Sequence, residues 1–433
     1  MTDVVVIGAG AAGLAAAHDL AKRSFRVVVI EARDRIGGRV CSIGVKDGVA
    51  ELGAEFIHGQ AEDTMALLRH IGSSAIPISD EAWKCSKRGE LEREGDNFMS
   101  AARIFDASRD LADDESVDEF LRPYERDSKT REAAVLARRF VEGFDAADPE
   151  IASAIAIADE WRSGTDFSSA RPAGGYRPVF EHLAKSCGDA GVQLNLSATV
   201  QQIAWDPYGV TVDAKTESGD AQTFRARAAI VTVPVGILQR DANHDGIKFE
   251  PDLPSAKYAA LRSIEMGHAV RVVLWFRTGF WEEISGGRYR DAAFFRCEGQ
   301  PFHAYWTQLP TRNTQVVAWA GGPQAIAMGA LSQQARIEFA LERFGRLFNE
   351  VRIARDEFES GATHDWSQDP NTRGAYSYVA VGGGDARAIL GAPIEDRLFF
   401  AGEATATDGQ GGTVSGALKT GKRAAQEVAT AFA

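Results

Sequence analysis

At 433 residues the chain is too long for one ordinary core and points to two or three domains, discontinuous ones included. Apolar residues make up 45% and charged residues 25%, the balance of a soluble globular enzyme, which excludes disorder and fibrous repeats. A formal charge of −13 argues against a nucleic-acid partner; its sign suits a cationic ligand, and it is also ordinary for solubility.

The chain opens with DVVVIGAG, AAGLAAAHDLAKR and RVVVIEAR, which reads as strand, helix, strand in a compact βαβ unit. Gly8, Gly10 and Gly13 stand between the first strand and the helix. There they permit a tight turn, close approach of a pyrophosphate at the helix N-terminus, and packing of helix on strand. Glu31 ends the second strand, where a carboxylate can accept ribose hydroxyls. This context reads as dinucleotide binding and leaves FAD and NAD both open. In the next residues, EARDRIGGRV, Gly37 and Gly38 let backbone approach a ligand and Arg39 is suited to pairing with phosphate.

From Gly59 onward the apolar spacing turns to three and four through TMALLRHIG, SVDEFLRPYERD and TREAAVLARRFVEGFDAADPEIASAIAIADEW, predicting a separate helical lobe over residues 62–159. A second sheet-forming block follows in VQLNLSATVQQIAWD, GVTVDAK and FRARAAIVTVPVGIL. GHAVRVVLWFRTGFW then reads as a buried strand with one misfit, Arg271, among Val270, Val272, Val273 and Leu274. A guanidinium there needs a partner, a ligand or a polar cavity. Strand-like AAFFRCE, HAYWTQL and TQVVAWAGG, a helix near SQQARIEFALERFGRLF and a last helix GALKTGKRAAQEV complete the chain.

Cys41, Cys85, Cys187 and Cys297 are scattered, with no CxxC pair and no histidine at metal-ligand spacing. They read as reduced thiols of a cytoplasmic protein, and no metal site is expected. The longest apolar run, AAIVTVPVGIL, is broken by Pro234 and Gly236 and falls short of the ~18 residues of a membrane span. A strand beginning at Asp3 leaves no room for a targeting peptide.

The fuller run VVVIEARDRIGGR resembles the FAD-binding signature of the flavin amine oxidase superfamily, which includes monoamine oxidases, polyamine oxidases, L-amino acid oxidases and the lysine-specific histone demethylases. ELGAEFIHG, LSATVQQI, VTVPVGIL, HDWSQDPNTRGAYSYVAVG and LFFAGEATATDGQGGTVSGALKTGKRAA are similar to further family segments, in family order over nearly the whole chain. The I-H-G ending of the first is closest to polyamine-oxidase-like members.

The resemblance implies an α/β fold: a Rossmann-like FAD-binding domain over 1–70, 178–257 and 366–433, interleaved with an α+β substrate-binding domain over 71–177 and 258–365 that includes the helical lobe. It implies cofactor contacts from Gly8, Gly10, Ala12, Gly13, Glu31, Ala32, Arg33, Gly38, Arg39, Gly53, Ala54, Glu55, Phe56, Val200, Trp366, Gly402, Glu403, Thr413 and Val414. Ala375 stands where some members carry a flavin-bonding cysteine, so the FAD is expected to be non-covalent.

By the same resemblance Tyr376 forms one wall of an aromatic cage for the amine, while the second wall falls near Thr413 and looks absent. Trp366 packs at the flavin edge, and His58 faces the substrate, where it can accept a hydrogen bond from an amine. Glu55, Asp159 and Glu160 are candidate partners for a cationic substrate. Alignment puts Arg271 where most members carry a lysine bound through water to flavin N5, and arginine is bulkier, planar and always charged. Its expected roles are a charge beside N5, a clamp for a substrate carboxylate, or a structural salt bridge.

The implied reaction is hydride transfer from the C–H next to an amine nitrogen, giving an imine, followed by reoxidation by O2 or another acceptor. An L-amino acid oxidase, an amine dehydrogenase with a non-oxygen acceptor, a flavoprotein desaturase or isomerase, and a non-catalytic flavin-stabilised module remain as alternatives.

Overall fold

Val27–Ile30 is four β-branched residues without polar alternation, and the strand it forms is buried throughout, as are Val4–Ile7 and Ala228–Val231. In the computed structural model, which describes residues 2–45, 48–86, 89–95, 98–162, 169–241, 244–297 and 299–433, these strands lie in one parallel sheet. Its order is Gln193–Asn195, Val27–Ile30, Val4–Ile7, Ala228–Val231, Leu398–Phe400.

Successive side chains of a strand point to opposite faces, so each strand serves two cores. Val4, Val6, Val27 and Val29 pack with Leu14 and Leu20 of the helix Ala11–Lys22 and with Leu418 and Val428 of the helix Val414–Ala431. Val5, Ile7, Val28 and Ile30 pack instead with Ile203 and Val212 of a four-stranded sheet. The parallel register pairs Ile7 with both Ile30 and Val231, which brings the next residues, Gly8, Glu31 and Thr232, to one edge. That carboxyl edge is where open α/β sheets receive ligands.

A seven-stranded sheet, in the order Phe358–Asp365, Ala269–Phe276, Gln315–Gly321, Ala304–Thr307, Phe294–Arg296, Ala82–Cys85, Leu91–Arg93, builds the second half of the molecule. On its strand Ala269–Phe276, second from one edge, Val270, Val272, Leu274 and Phe276 enter a core with Trp281 and Phe344. Val273, on the alternate face with Arg271, packs with Leu52, Trp306 and Val317. The helices Val117–Arg126, Arg131–Gly143 and Ala154–Arg162 share a third core around Phe105, Phe120 and Trp161. The first of them starts at a capping box between Ser116 and Glu119.

Two expectations are corrected. The stretch after Gly59 is not continuously helical: Ala75–Pro77, Ala82–Cys85 and Leu91–Arg93 are strands, and the last two extend the seven-stranded sheet. Segments of three or four residues are too short to display a period, and their conformation comes from pairing: Ala75–Pro77 with Ser169–Pro172, Ala82–Cys85 with Phe294–Arg296, and Leu91–Arg93 with Ala82–Cys85. Cys85 and Cys297 are not reduced thiols. Their parallel strands bring the two Cα atoms to 5.0 Å across 212 residues of sequence, and they form a disulfide; Cys41 and Cys187 are free. The cysteines thus give no reason to place the chain in a reducing compartment. No helix among the described residues is long and apolar enough to cross a membrane.

Candidate active site

A cavity of about 1620 Å3 is bounded by the carboxyl edge of the parallel sheet, the seven-stranded sheet and the helical lobe. It exceeds the ~300–1,000 Å3 of an ordinary ligand pocket, enough for a cofactor and a substrate together. Every predicted site residue lines it except Gly13 and Asp159. A Cβ at Gly13 would lie 1.9 Å from the Gly8 carbonyl oxygen, so that glycine serves the contact of helix on turn. A Cβ at Gly10 would meet nothing within 4 Å, so the backbone there borders open space. The helix beginning at Ala11 has no side-chain cap, which leaves its first N–H groups to the cavity.

Around this edge the polar groups are already ordered. Glu31 accepts from the amides of Ala9 at 2.7 Å and Arg33 at 2.9 Å. Arg33 pairs with Asp369 at 2.7 Å. Arg39, expected to meet phosphate, donates to Glu403 at 2.7 Å and to the Ala375 carbonyl at 2.9 Å. Glu403 also accepts from the Ser377 hydroxyl and the Gly412 amide. Burial pushes its carboxyl up, but Arg39 and Arg387 outweigh burial and hold it below the usual range. Thr413 caps the helix Val414–Ala431 by accepting from the Gly416 amide at 2.9 Å, which sets that helix N-terminus on the cavity wall. Gly53 is required sterically: a Cβ there would lie 1.9 Å from the Arg39 carbonyl oxygen and 3.0 Å from the Trp366 ring. Trp366 is fixed by donating to the Leu52 carbonyl at 2.9 Å.

Arg271 is 2% exposed and has a partner. One terminal nitrogen pairs with Glu55, and the other donates to the Gly53 carbonyl at 3.1 Å. Its Nε is buried without a protein partner. Glu55 receives Arg171 at 2.5 Å and Gln308 Nε2 at 3.3 Å on its other oxygen, and Trp306 Nε1 at 3.1 Å on the oxygen that meets Arg271. Burial alone would raise the Glu55 carboxyl; Arg271 and Arg171 overcome it and hold the group at about 2. Glu55 is therefore a fixed anion already matched by two guanidinium groups.

His58 sits between the rings of Phe56 and Phe144, at 5.9 and 5.1 Å between centroids, with Nδ1 2.9 Å from the Ser169 hydroxyl. Burial lowers it to about 4, so the imidazole is neutral near pH 7. Tyr376 donates its hydroxyl to the Phe144 carbonyl at 2.5 Å, which fixes its ring in the wall. Beside that ring stands Gly412, whose Cβ would come 3.1 Å from Tyr376 Cδ2.

Two carboxyls face this part of the cavity, Asp145 and Glu160. Glu160 pairs with Arg387 at 2.8 Å, and Asp145 accepts from Trp161 Nε1 at 3.1 Å. Burial, then Glu160, pushes the Asp145 carboxyl well up. Asp159 is no part of the site: it is exposed, pairs with Arg162 and does not line the cavity.

Asp145, Arg171, Trp306, Trp319 and Arg387 went unpredicted. Arg171 in SARP and Arg387 in DARAIL carry no local pattern, and only the fold brings them to Glu55 and Glu403. Asp145 had a weak signal, as an acidic residue interrupting the apolar FVEGFDAA run.

The donors fit a dinucleotide. Gly10 presents open backbone, two helix N-termini share one wall, and the buried Nε of Arg271 lacks a protein partner. A parallel nucleotide-binding sheet opening into a chamber large enough for cofactor and substrate defines a dinucleotide-dependent enzyme.

Residues 11–429 match the family described as flavin containing amine oxidoreductase. The chain belongs to that family, and it is an FAD-dependent amine oxidoreductase. It is 30% identical to polyamine oxidase 3 of Oryza sativa subsp. japonica, over 98% of this chain and 88% of that protein. It is also 30% identical to polyamine oxidase 2 of Arabidopsis thaliana, over 98% and 87%. Solved structures of wild-type putrescine oxidase bound to putrescine and of cyclohexylamine oxidase from Brevibacterium oxydans IH-35A share the fold. Both give TM-scores of 0.80, at 24% and 21% identity, covering 99% of both chains for the first, and 100% of this chain and 99% of the other for the second.

Proposed function

We propose that the chain oxidises a small amine lacking a carboxylate, of the diamine or polyamine class, with FAD held non-covalently. The observation that carries this reading is that both terminal nitrogens of Arg271, the candidate clamp for an amino-acid carboxylate, are engaged by Glu55 and the Gly53 carbonyl, while Asp145 and Glu160 place carboxyl groups on the cavity wall. An amino-acid oxidase needs the reverse arrangement. The names of the rice and Arabidopsis relatives support the same substrate class.

When bound, FAD supplies the acceptor for hydride leaving the carbon next to the amine nitrogen, and oxygen then returns it to the oxidised form with release of H2O2. The protein's part is to bind and orient. Neutral His58 accepts an N–H of the substrate amine, which must be uncharged before hydride can leave. The Tyr376 ring holds the amine in place, and the Asp145 and Glu160 carboxyl groups offer acceptors to its far end. Gly8, Gly10 and the helix start at Ala11 hold the pyrophosphate, Glu31 the ribose, and Val200 the adenine. The helix start at Thr413 and Val414 favours negative charge on the flavin pyrimidine. Ala375 offers no thiol, so no covalent link forms. The same reading assigns the cofactor to residues 1–70, 178–257 and 366–433.

Anaerobic mixing with putrescine, spermidine, a monoamine and L-amino acids tests this reading. Loss of flavin absorbance with diamines or polyamines and none with L-amino acids is expected; bleaching by L-amino acids alone would overturn it. Acid precipitation is expected to leave all yellow colour in the supernatant.

A further inference from the structure

Arg171 does not line the cavity, yet each of its guanidinium nitrogens is engaged. Its Nε pairs with Glu55 at 2.5 Å, and its terminal nitrogens donate to the carbonyls of Leu309 and Thr307, both at 3.1 Å. Its guanidinium lies 4.7 Å from the centroid of the Phe56 ring. The Nε of Arg171 thereby holds Glu55 from behind, with the terminal nitrogens anchored to backbone carbonyls, while Arg271 holds it from the cavity side. Glu55 is 5% exposed and Arg271 2%, so neither charge is screened by bulk water.

The balance of this cluster is two guanidinium groups against one carboxylate, a net charge of +1. Glu51, the other carboxyl near Arg271, is engaged by the Tyr176 amide and the Ser42 hydroxyl and stays constant in the comparison below. Without Arg171 the Glu55–Arg271 pair would be neutral. With it, Glu55 is shared, and Arg271 keeps uncompensated positive charge facing the cavity, where its Nε lacks a protein partner. Arg171 also lies two residues from Ser169 on the strand Ser169–Pro172, hence on the same face, and Ser169 bonds His58. One short strand thus orders both polar sides of the chamber.

We infer that Arg171 is a positioning residue which, through Glu55, maintains net positive charge at Arg271 and so stabilises the negatively charged reduced cofactor over the oxidised one. The inference rests on the reading that Arg271 faces the flavin. Removal of one positive charge from a low-dielectric wall disfavours an anion beside it.

The test is a reductive titration of holoenzyme against a reference dye, comparing wild type with Arg171→Gln, Arg171→Lys, Glu55→Gln and Arg271→Met. Arg171→Gln is expected to lower the ratio of reduced to oxidised flavin at a fixed potential by about tenfold or more, with the KM for amine within about twofold of wild type. Arg171→Lys keeps the charge and is expected to restore most of the ratio. Glu55→Gln raises the cluster charge and is expected to move the ratio the opposite way. If Arg271→Met shifts the potential and Arg171→Gln does not, the role given to Arg171 is wrong. Shifts of Arg171→Gln and Glu55→Gln in the same direction would also overturn it, since charge would then not be the cause. An unchanged potential in Arg271→Met would instead overturn the placement of Arg271 on which the inference rests.

Discussion

Nδ1 of His58 lies 2.9 Å from the hydroxyl of Ser169, and this contact orients the ring with Nε2 left for the substrate. When Nδ1 donates to the hydroxyl, Nε2 keeps the lone pair that an amine N–H requires. His58→Ala is expected to slow flavin reduction by about 10²-fold, the lower end of general-base contributions. Ser169→Ala is expected to cost about tenfold by releasing the orientation of the ring, with FAD content unchanged in both. Stopped-flow reduction under anaerobic conditions measures this. NMR of labelled histidine is expected to place His58 near 4, and a titration between pH 6 and 7 would show that burial does not control the ring.

The Glu55 cluster makes acid stability predictable in sign. Glu55 is held at about 2 against an ordinary 4.5, so its ionised form stabilises the fold above pH 4.5, and that contribution is lost as pH falls toward 2. His58 is also lowered, from 6.5 to about 4, so its protonation costs stability in a higher window, between those values. Glu55→Gln is expected to flatten the stability profile below pH 4.5 and leave the higher window unchanged. It is also expected to lower stability at pH 7 by ~3–5 kcal/mol, because two buried guanidinium groups lose their anion. Urea unfolding from pH 3 to 7 reads both effects.

Gly10 and Gly13 separate binding from folding. Gly13→Ala pushes a methyl to 1.9 Å from the Gly8 carbonyl oxygen and is expected to destabilise the apoprotein by ~1–3 kcal/mol or more. Gly10→Ala points into open cavity and is expected to leave the apoprotein Tm unchanged while weakening FAD affinity. Thermal melts of apoprotein beside FAD titrations check the contrast.

Alkylation in denaturant without reductant is expected to label two thiols, Cys41 and Cys187, and alkylation after reduction four. Four labels without reductant would mean that Cys85 and Cys297 are not joined.

The local features of the nucleotide half were legible because their causes are local. A glycine turn, β-branched strands and a carboxylate ending the second strand each dictate conformation within a few residues. The predicted helices at Ala11–Lys22, Gln333–Leu347 and Val414–Ala431 likewise follow from short-range periodicity. The strands Ala82–Cys85 and Leu91–Arg93 were not legible, since segments so short take their conformation from the sheet they join.

Arg271 marks the boundary between the two kinds of information. The amino-acid order alone determined that a guanidinium stood in a buried strand and that a compensating group was required, because an unpaired charge in an apolar setting is too costly. It left the identity of that group open. Only the tertiary structure decided that Glu55, 216 residues away in sequence, is the partner, and that Arg171 shares it. Electrostatic interaction depends on distance in space and on exclusion of water, and neither is set until the strands Ala269–Phe276 and Ser169–Pro172 have been packed around the segment that follows Gly53.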